Sequence, residues 1–284
     1  MKLLQTKAIL ASLLTASIFS GCVTSKQETV EPKSNKTKVI ELITSIETGD
    51  IKPVGYINEN KYIQHNLAVK DGLAGFGEVL AMLPKGSAKA KVIRAFQDGD
   101  FVFTHTKYNF FGPKAGFDIF RFEDGKIVEH WDNLQTIVEN TASGRTMFDG
   151  PTNITDLDKT EENKNLVKNL INDVFFGKNP NKITDYISTE QYAQHNPHVK
   201  DGLAGLGAAL ESLAKAGMPM IYKKNHKILG EGNFVLSVSE GIFMKKKVAF
   251  YDLFRIESGK IVEHWDTIEE IPEKANWQNK NGKF

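Results

Sequence analysis

Two short runs hold the residues best suited to moving protons. Gly125-Lys126-Ile127-Val128-Glu129-His130-Trp131-Asp132 recurs as Gly259-Lys260-Ile261-Val262-Glu263-His264-Trp265-Asp266. Each opens on a turn glycine, passes through a β-branched pair and ends on a histidine and an aspartate two residues apart. Side chains alternate between the faces of a strand. Val128, His130 and Asp132 are therefore expected on one face, and Ile127, Glu129 and Trp131 on the other. A histidine beside a carboxylate supports proton transfer, or the two form a buried pair that only fixes the strand. The pattern names a style of reaction, not a substrate.

Two further positions recur. His65 stands in Tyr62-Ile63-Gln64-His65-Asn66 and His195 in Tyr192-Ala193-Gln194-His195-Asn196. Asp118 stands in Phe117-Asp118-Ile119-Phe120-Arg121 and Asp252 in Tyr251-Asp252-Leu253-Phe254-Arg255. Asp118 and Phe120 are expected on one strand face, with Arg121/Arg255 opposite, toward solvent or an interface. The hairpin signal Asp124-Gly125 joins this strand to the His130 strand, so both faces can line one cavity. Register decides this, and a one-residue slip reverses it.

The chemistry such a cavity supports is cofactor-free acid–base catalysis next to a carbonyl. Asp132/Asp266 is the expected base, raised in pKa by a dry pocket. His130/His264 and His65/His195 are the expected donors or orienting groups, with Asp118/Asp252 beside them. Plainer roles compete: His65-Asn66 capping a loop, or Asp118 pairing with a lysine or arginine. Trp131/Trp265 and Phe120/Phe254 read as core. His195-Asn196-Pro197-His198 with His264 and Asp266 would offer donors suited to zinc. The first copy, however, has Ala68 where the second has His198, so no metal is expected. No cofactor is expected either, since nucleophile elbow, phosphate loop and dinucleotide fingerprint are all absent. His105 and His226 have no counterpart and read as incidental. The glycines of residues 72–77 fall within a helical stripe and read as permitting close helix–sheet packing.

These residues sit in a pattern that occurs twice, about 130 residues apart. A helix is expected from Lys38, with the apolar stripe Val39, Leu42, Ile43 and Ile46, stopped by Gly49. Residues 62–66 read as one helical turn. Leu73, Phe76, Leu80 and Leu83 give a second stripe, closed by Pro84 and Gly86. Extended runs follow at 88–97, 101–111, 117–122 and 126–134, joined by Asp-Gly turns. Val167, Leu170, Ile171 and Val174 repeat the first stripe. The seam, rich in Thr, Gly, Asn and Asp, falls in residues 140–160. Domains are expected at 37–150 and 161–284, with a linker at 151–160. Helices followed by hairpin strands predict an α+β fold, with helices on one face of a curved antiparallel sheet.

Each copy resembles the SnoaL-like polyketide-cyclase family within the NTF2-like cone-shaped fold. The resemblance rests on Tyr-x-Gln-His-Asn, Asp-Gly, Asp-x-Phe-Arg and Gly-Lys-Ile-Val-Glu-His-Trp-Asp. It is nearest to the group described as aldol-condensation enzymes. It implies an aspartate base with a histidine partner, and pairing of two domains through the outer sheet face. A fused duplicate would supply that partner internally, as a pseudo-dimer in a monomeric chain. The ligand implied is a small apolar or aromatic carbonyl compound. The fold also hosts non-catalytic binders, so a small-molecule-binding or envelope-interaction lipoprotein is the alternative.

Composition is that of a globular chain: 284 residues, 40% hydrophobic, 25% charged and net charge +1. No basic stripe offers nucleic acid a footprint. Residues 1–21 read as a signal peptide, with Lys2 and Lys7 ahead of an apolar stretch at 8–19 too short to span a bilayer. Ser20-Gly21-Cys22 resembles the bacterial lipobox, which implies lipidation of Cys22, the single cysteine. Residues 22–36 read as a flexible tether. The expected address is the cell envelope, with Val23 favouring the outer membrane where there is one.

Overall fold

The computed structural model describes residues 32–84 and 86–284. Cys22 and the expected signal segment lie outside the described residues, as does most of the tether. Residues Lys33–Phe284 form a compact unit, which carries every element named below. No helix among the described residues is long and apolar enough to cross a membrane.

The first half runs α1 (Asn35–Thr48), β1 (Ile63–Gln64), α2 (Gly72–Met82), β2 (Lys89–Asp98), β3 (Phe101–Asn109), β4 (Pro113–Glu123) and β5 (Lys126–Thr136). The second runs α3 (Thr160–Leu170), α4 (Ile183–Tyr186), β6 (Ala193–Gln194), α5 (Gly202–Lys215), β7 (Ile221–Glu231), β8 (Phe234–Phe243), β9 (Lys246–Glu257) and β10 (Lys260–Glu270). The sheets are ordered β1-β5-β4-β3-β2 and β6-β10-β9-β8-β7. The α+β class is as expected.

Ser34 caps α1 by accepting the Thr37 N–H at 3.1 Å. The helix therefore starts at Asn35, before Lys38, and takes in residues assigned to the tether. Gly49, at φ 72°, ends it by donating to the Ser45 carbonyl. The stripe Val39, Leu42 and Ile43 packs on Phe120, Phe122 and Ile127 of the sheet. Val167, Leu170 and Ile171 pack likewise on Phe254, Ile256 and Ile261. Each such aliphatic side chain contributes about 1.5–3 kcal/mol when fully buried.

Three local expectations are corrected. Residues 62–66 form no helical turn. Ile63 and Gln64 pair in parallel with Glu129 and His130, and Ala193 and Gln194 do the same with Glu263 and His264. Each sheet is thus mixed, not wholly antiparallel. Second, Arg121 faces Glu129 but Phe122 faces Ile127, which leaves Val128 in a bulge. The extra residue shifts the alternation by one, so Ile127 turns to the helix side and not to the side of Glu129 and Trp131. Val262 repeats the bulge. Third, a Cβ on Gly75 would lie 2.0 Å from the Lys70 carbonyl oxygen. That glycine lets α2 fold against its own leading loop, not against the sheet.

The faces away from the helices pack on each other. Phe96, Phe103 and Trp131 share one core with Phe234, Leu253 and Trp265. Asn133 Nδ2 crosses to the Thr267 carbonyl at 2.8 Å. Arg94, 2% exposed, lies 4.4 Å from the Trp265 ring and donates to the carbonyls of Phe148, Asp149, Gly150 and Pro151. The segments after each last strand cross over. Ala142 N–H donates to the Pro197 carbonyl of the second half, and Gln278 N–H to the Leu67 carbonyl of the first, both at 2.8 Å. Residues 142–148 and 278–284 are thus reciprocal arms.

Candidate active site

Asp118 is the direct partner of Asp132 across β4 and β5, and Phe120 that of His130. Partners in adjacent strands share a face, so both aspartates and the histidine look toward the helices. Asp252, Asp266, Phe254 and His264 repeat the arrangement. In each half the Asp–His–Asp trio offers three donor atoms within 4.8 Å of one another. These are the groups that could hold a divalent ion. The zinc set suggested by the sequence does not assemble, because His195 faces away from the cavity.

The parallel strands β1 and β6 complete the site. Gln64 Oε1 accepts the Asn66 N–H and faces His130 Nδ1, both at 2.9 Å. In the second half Gln194 Oε1 accepts the Asn196 N–H at 3.1 Å and faces His264 Nδ1 at 2.8 Å. The backbone donor fixes that atom as the oxygen, so Nδ1 carries the proton. Nε2 then faces Asp118 Oδ1 at 3.3 Å or Asp252 Oδ1 at 3.2 Å. Each imidazole is held between two acceptors. Burial opposes the cation of His264, but the hydrogen bond to Asp252 and the charges of Asp266 and Asp252 outweigh it, and its pKa rises.

The outer aspartates are held at one oxygen. Asn66 Nδ2 donates to Asp132 Oδ2 at 2.6 Å, and Asn196 Nδ2 to Asp266 Oδ2 at 2.7 Å. Oδ1 of each has no hydrogen-bond partner. Asp266 is pushed up to about 6, first by burial and then by the charge of Asp252, against the cationic His264 and the Asn196 bond. A carboxylate with one fixed and one open oxygen, titrating near neutrality, is suited to act as a general base.

A phenol meets the inner aspartate in both halves but comes from different strands. Tyr108 of β3 donates to Asp118 Oδ2 at 2.7 Å, whereas Tyr222 of β7 donates to Asp252 Oδ1 at 3.1 Å. Tyr108 pairs with Ala90, and Tyr222 with Gly241. A Cβ on neighbouring Gly116 would come 2.9 Å from the Tyr108 ring; the corresponding Phe250 instead stacks on Tyr222 at 4.2 Å. The large and small residues have exchanged places, while the phenol–carboxylate contact is kept.

Leu42, Ile43, Phe76 and Phe120 help line a cavity of about 110 Å³ in the first half. Val174, Phe175, Leu206 and Met220 do so around about 150 Å³ in the second. The second adjoins a groove of about 590 Å³, sharing Asn196, Ala209 and Met220 with it. Ligand pockets run from about 300 to 1,000 Å³, a range the second cavity reaches only together with its groove.

His65 and His195 do not join these cavities, contrary to expectation. Both lie on the opposite sheet face, because residues 62–66 alternate as a strand. His65 Nε2 meets Glu129 Oε1 at 2.9 Å and its ring stacks on Trp131 at 4.6 Å. His195 meets Glu263 at 2.9 Å and stacks on Trp265 at 4.8 Å. Arg121 and Arg255 bind the same glutamates. The residues passed over are Gln64/Gln194, Asn66/Asn196 and Tyr108/Tyr222. A period-2 reading of Tyr-x-Gln-His-Asn would have placed Gln and Asn inside and His outside. The exchanged tyrosines leave no aligned signal. His105 is not incidental: it is buried, stacks on Phe117 at 4.5 Å and lies 3.3 Å from Arg94.

Stability should report the buried base. A carboxyl raised in the folded state contributes stability that is complete below its unfolded pKa and lost as pH rises through the folded value. For Asp266 the window runs from its ordinary 3.8 up to about 6, and the loss is roughly 3 kcal/mol. Asp266→Asn should therefore exceed the parent in unfolding free energy from urea titration at pH 8, by about 1–3 kcal/mol, and match it near pH 4. A variant less stable than the parent at pH 8 would contradict the strained carboxylate.

No protein-family model matches the chain, and no curated protein matches it. Solved structures do. IdmH from Streptomyces antibioticus, described as a candidate polyketide cyclase, is 18% identical, with 36% of this chain and 93% of that chain covered at a TM-score of 0.32. An NTF2-like protein of unknown function from Cytophaga hutchinsonii is 17% identical, with 37% and 92% covered at 0.32. A candidate ketosteroid isomerase from Kribbella flavida is 12% identical, with 40% and 83% covered at 0.33.

Proposed function

We propose that the chain is a SnoaL-like, NTF2-like acid–base catalyst acting on a small carbonyl compound without an organic cofactor. The observation that carries this reading is the open Oδ1 of Asp266, held in an apolar cavity beside a histidine whose two nitrogens both face acceptors. Asp266 Oδ1 takes the proton alpha to the substrate carbonyl and becomes the neutral acid. The electron pair left on carbon delocalises to the carbonyl oxygen. The His264–Asp252–Tyr222 cluster is the local source of donors for that oxygen. The enolate then either attacks a second carbonyl, as in aldol-type cyclisation, the new alkoxide taking the proton back from Asp266, or is reprotonated by Asp266 at another carbon, as in isomerisation. A lyase step is the reverse of the first. Apolar walls strengthen each electrostatic contact by excluding water.

Two measurements bear on it. Native mass spectrometry of protein purified from its host should show a retained small molecule. Solvent deuterium should enter candidate ketones in the presence of the parent and not of an Asp132→Asn/Asp266→Asn double variant. Exchange that survives the double variant removes these aspartates from the base role. A tightly held compound with no exchange into any ketone makes the chain a binding protein instead.

The address belongs to the same proposal. Residues 8–22 support an exported lipoprotein anchored through Cys22, the outer membrane being favoured where present. Metabolic labelling with an alkynyl fatty acid should mark the parent and spare Cys22→Ala; equal labelling of both rules the anchor out. The exchanged arms and the shared core support an internal pseudo-dimer. Light scattering of residues 23–284 should give the mass of one chain, and a tight homodimer would count against that reading.

A further inference from the structure

The crossing arms take the same course, although of their side chains only the final phenylalanine is the same. His65 Nδ1 meets the Gly282 carbonyl at 2.9 Å, and His195 Nδ1 meets the Thr146 carbonyl at 2.7 Å. Two residues on, Phe284 stacks on His226 at 4.0 Å, as Phe148 stacks on His105 at 5.2 Å. The residue between is Lys283 in one arm and Met147 in the other, and both are buried. A second difference accompanies it. Glu269 accepts the Leu134 N–H at 3.2 Å, where Gln135 accepts the Ile268 N–H at 2.8 Å. Lys283 Nζ lies 2.5 Å from Glu269 Oε2 and 3.6 Å from Asp132 Oδ1. Asp132 of the first pocket thus has a lysine–glutamate pair beside it. The corresponding pair for the second pocket is methionine and glutamine.

We propose that Lys283 is a positioning residue that makes the two pockets unequal. Its ammonium stands 3.6 Å from the open oxygen of Asp132, so the proton transfer falls to the second pocket, through Asp266. This rests on the acid–base reading of the pockets. The remaining groups around the two aspartates largely match. Asp132 faces Asp118, His130, Tyr62 and, from the other sheet, Tyr251. Asp266 faces Asp252, His264, Tyr192 and His198. The tyrosines stay neutral, since burial raises them first and the aspartate charges raise them further. Burial works against the Lys283 ammonium, but the charges of Glu269 and Asp132 outweigh it and keep it protonated. An ammonium beside one carboxylate and a thioether at the matching place in the other arm separates their proton affinities, tenfold for about each 1.4 kcal/mol of added attraction.

The test uses the full chain and Lys283→Met/Glu269→Gln, which copies the Met147–Gln135 pair. Carboxyl-carbon NMR, assigned with Asp132→Asn, should show the Asp132 titration midpoint rise by about one unit or more in the double variant, and stay near the parent value in Lys283→Arg. An unmoved midpoint overturns the ion-pair claim whether or not the protein is an enzyme. Deuterium exchange into a ketone should fall about a hundredfold in Asp266→Asn and recover in part when Lys283→Met/Glu269→Gln is added. Parent-level exchange in Asp266→Asn, or no recovery in the combined variant, overturns the division of labour. Absence of exchange in the parent strikes the acid–base reading itself and leaves the NMR result to judge Lys283. Should the double variant not fold, Lys283→Gln provides the same titration comparison.

Discussion

Two aspartates placed face to face in the interior of a sheet are the constraint to which the rest of each half answers. Asp118 opposes Asp132, and Asp252 opposes Asp266, all four nearly inaccessible to water. Like charges directly opposite in an antiparallel pair destabilise it, and burial removes the water that would otherwise screen them. The neighbouring groups offset this one by one. An imidazole on the same face takes the inner carboxylate, a phenol donates to that carboxylate, and an asparagine amide holds one oxygen of the outer carboxylate. What stays without a hydrogen bond is one oxygen of the outer carboxylate, and at Asp266 no lysine stands beside it; the proposed chemistry is placed there.

This requirement explains features that otherwise look like ornament. The strands β1 and β6 are two residues long, too short to add much sheet stability. Their parallel pairing nonetheless puts Gln64 and Asn66, or Gln194 and Asn196, over the histidine and the outer aspartate. The histidine between Gln and Asn points the other way and anchors the short strand through a glutamate, an arginine and a tryptophan on the outer face. The reciprocal arms then clasp the loops that follow. Asn279 Nδ2 donates to the Asn66 and Val69 carbonyls, and Asn281 Nδ2 to the Gln64 carbonyl. Each site is therefore braced by chain that belongs in sequence to the other half. The shared core between the sheets keeps those arms within reach.

Much of this was legible because it follows from periodicity of side chains along one element. The α1 stripe, the Gly49 stop, the Asp-Gly hairpins and the His130/Asp132 face can each be read from spacing alone. Residues 62–66 were misjudged because five residues fit one helical turn and one short strand equally well, and only pairing with β5 decides between them. Ile127 went to the wrong face because a bulge leaves no mark in composition. Tyr108 and Tyr222 were passed over for a deeper reason. Their equivalence lies in where the hydroxyl arrives, not in where the residue stands in the repeat. The arms were invisible because their partners lie more than 200 residues away for the segment 278–284.

The relocated tyrosine also bears on what the two halves have in common. If the phenol only filled space, its exchange with Ala90 and Gly241 would leave no reason for the hydroxyl to reach the same carboxylate from a different strand. Packing is satisfied by matched volume, and Phe250 over Gly241 achieves that without any hydroxyl. The contact with the inner aspartate recurs nevertheless, together with the Gln–His–Asp chain. By contrast, the outer aspartate keeps its asparagine in both halves but gains an ammonium in only one. The inner carboxylate is therefore the group whose surroundings had to stay the same, and the outer one is where the halves diverged. The outer carboxylate can thus gain an ammonium 3.6 Å away while the inner one keeps its histidine and its phenol.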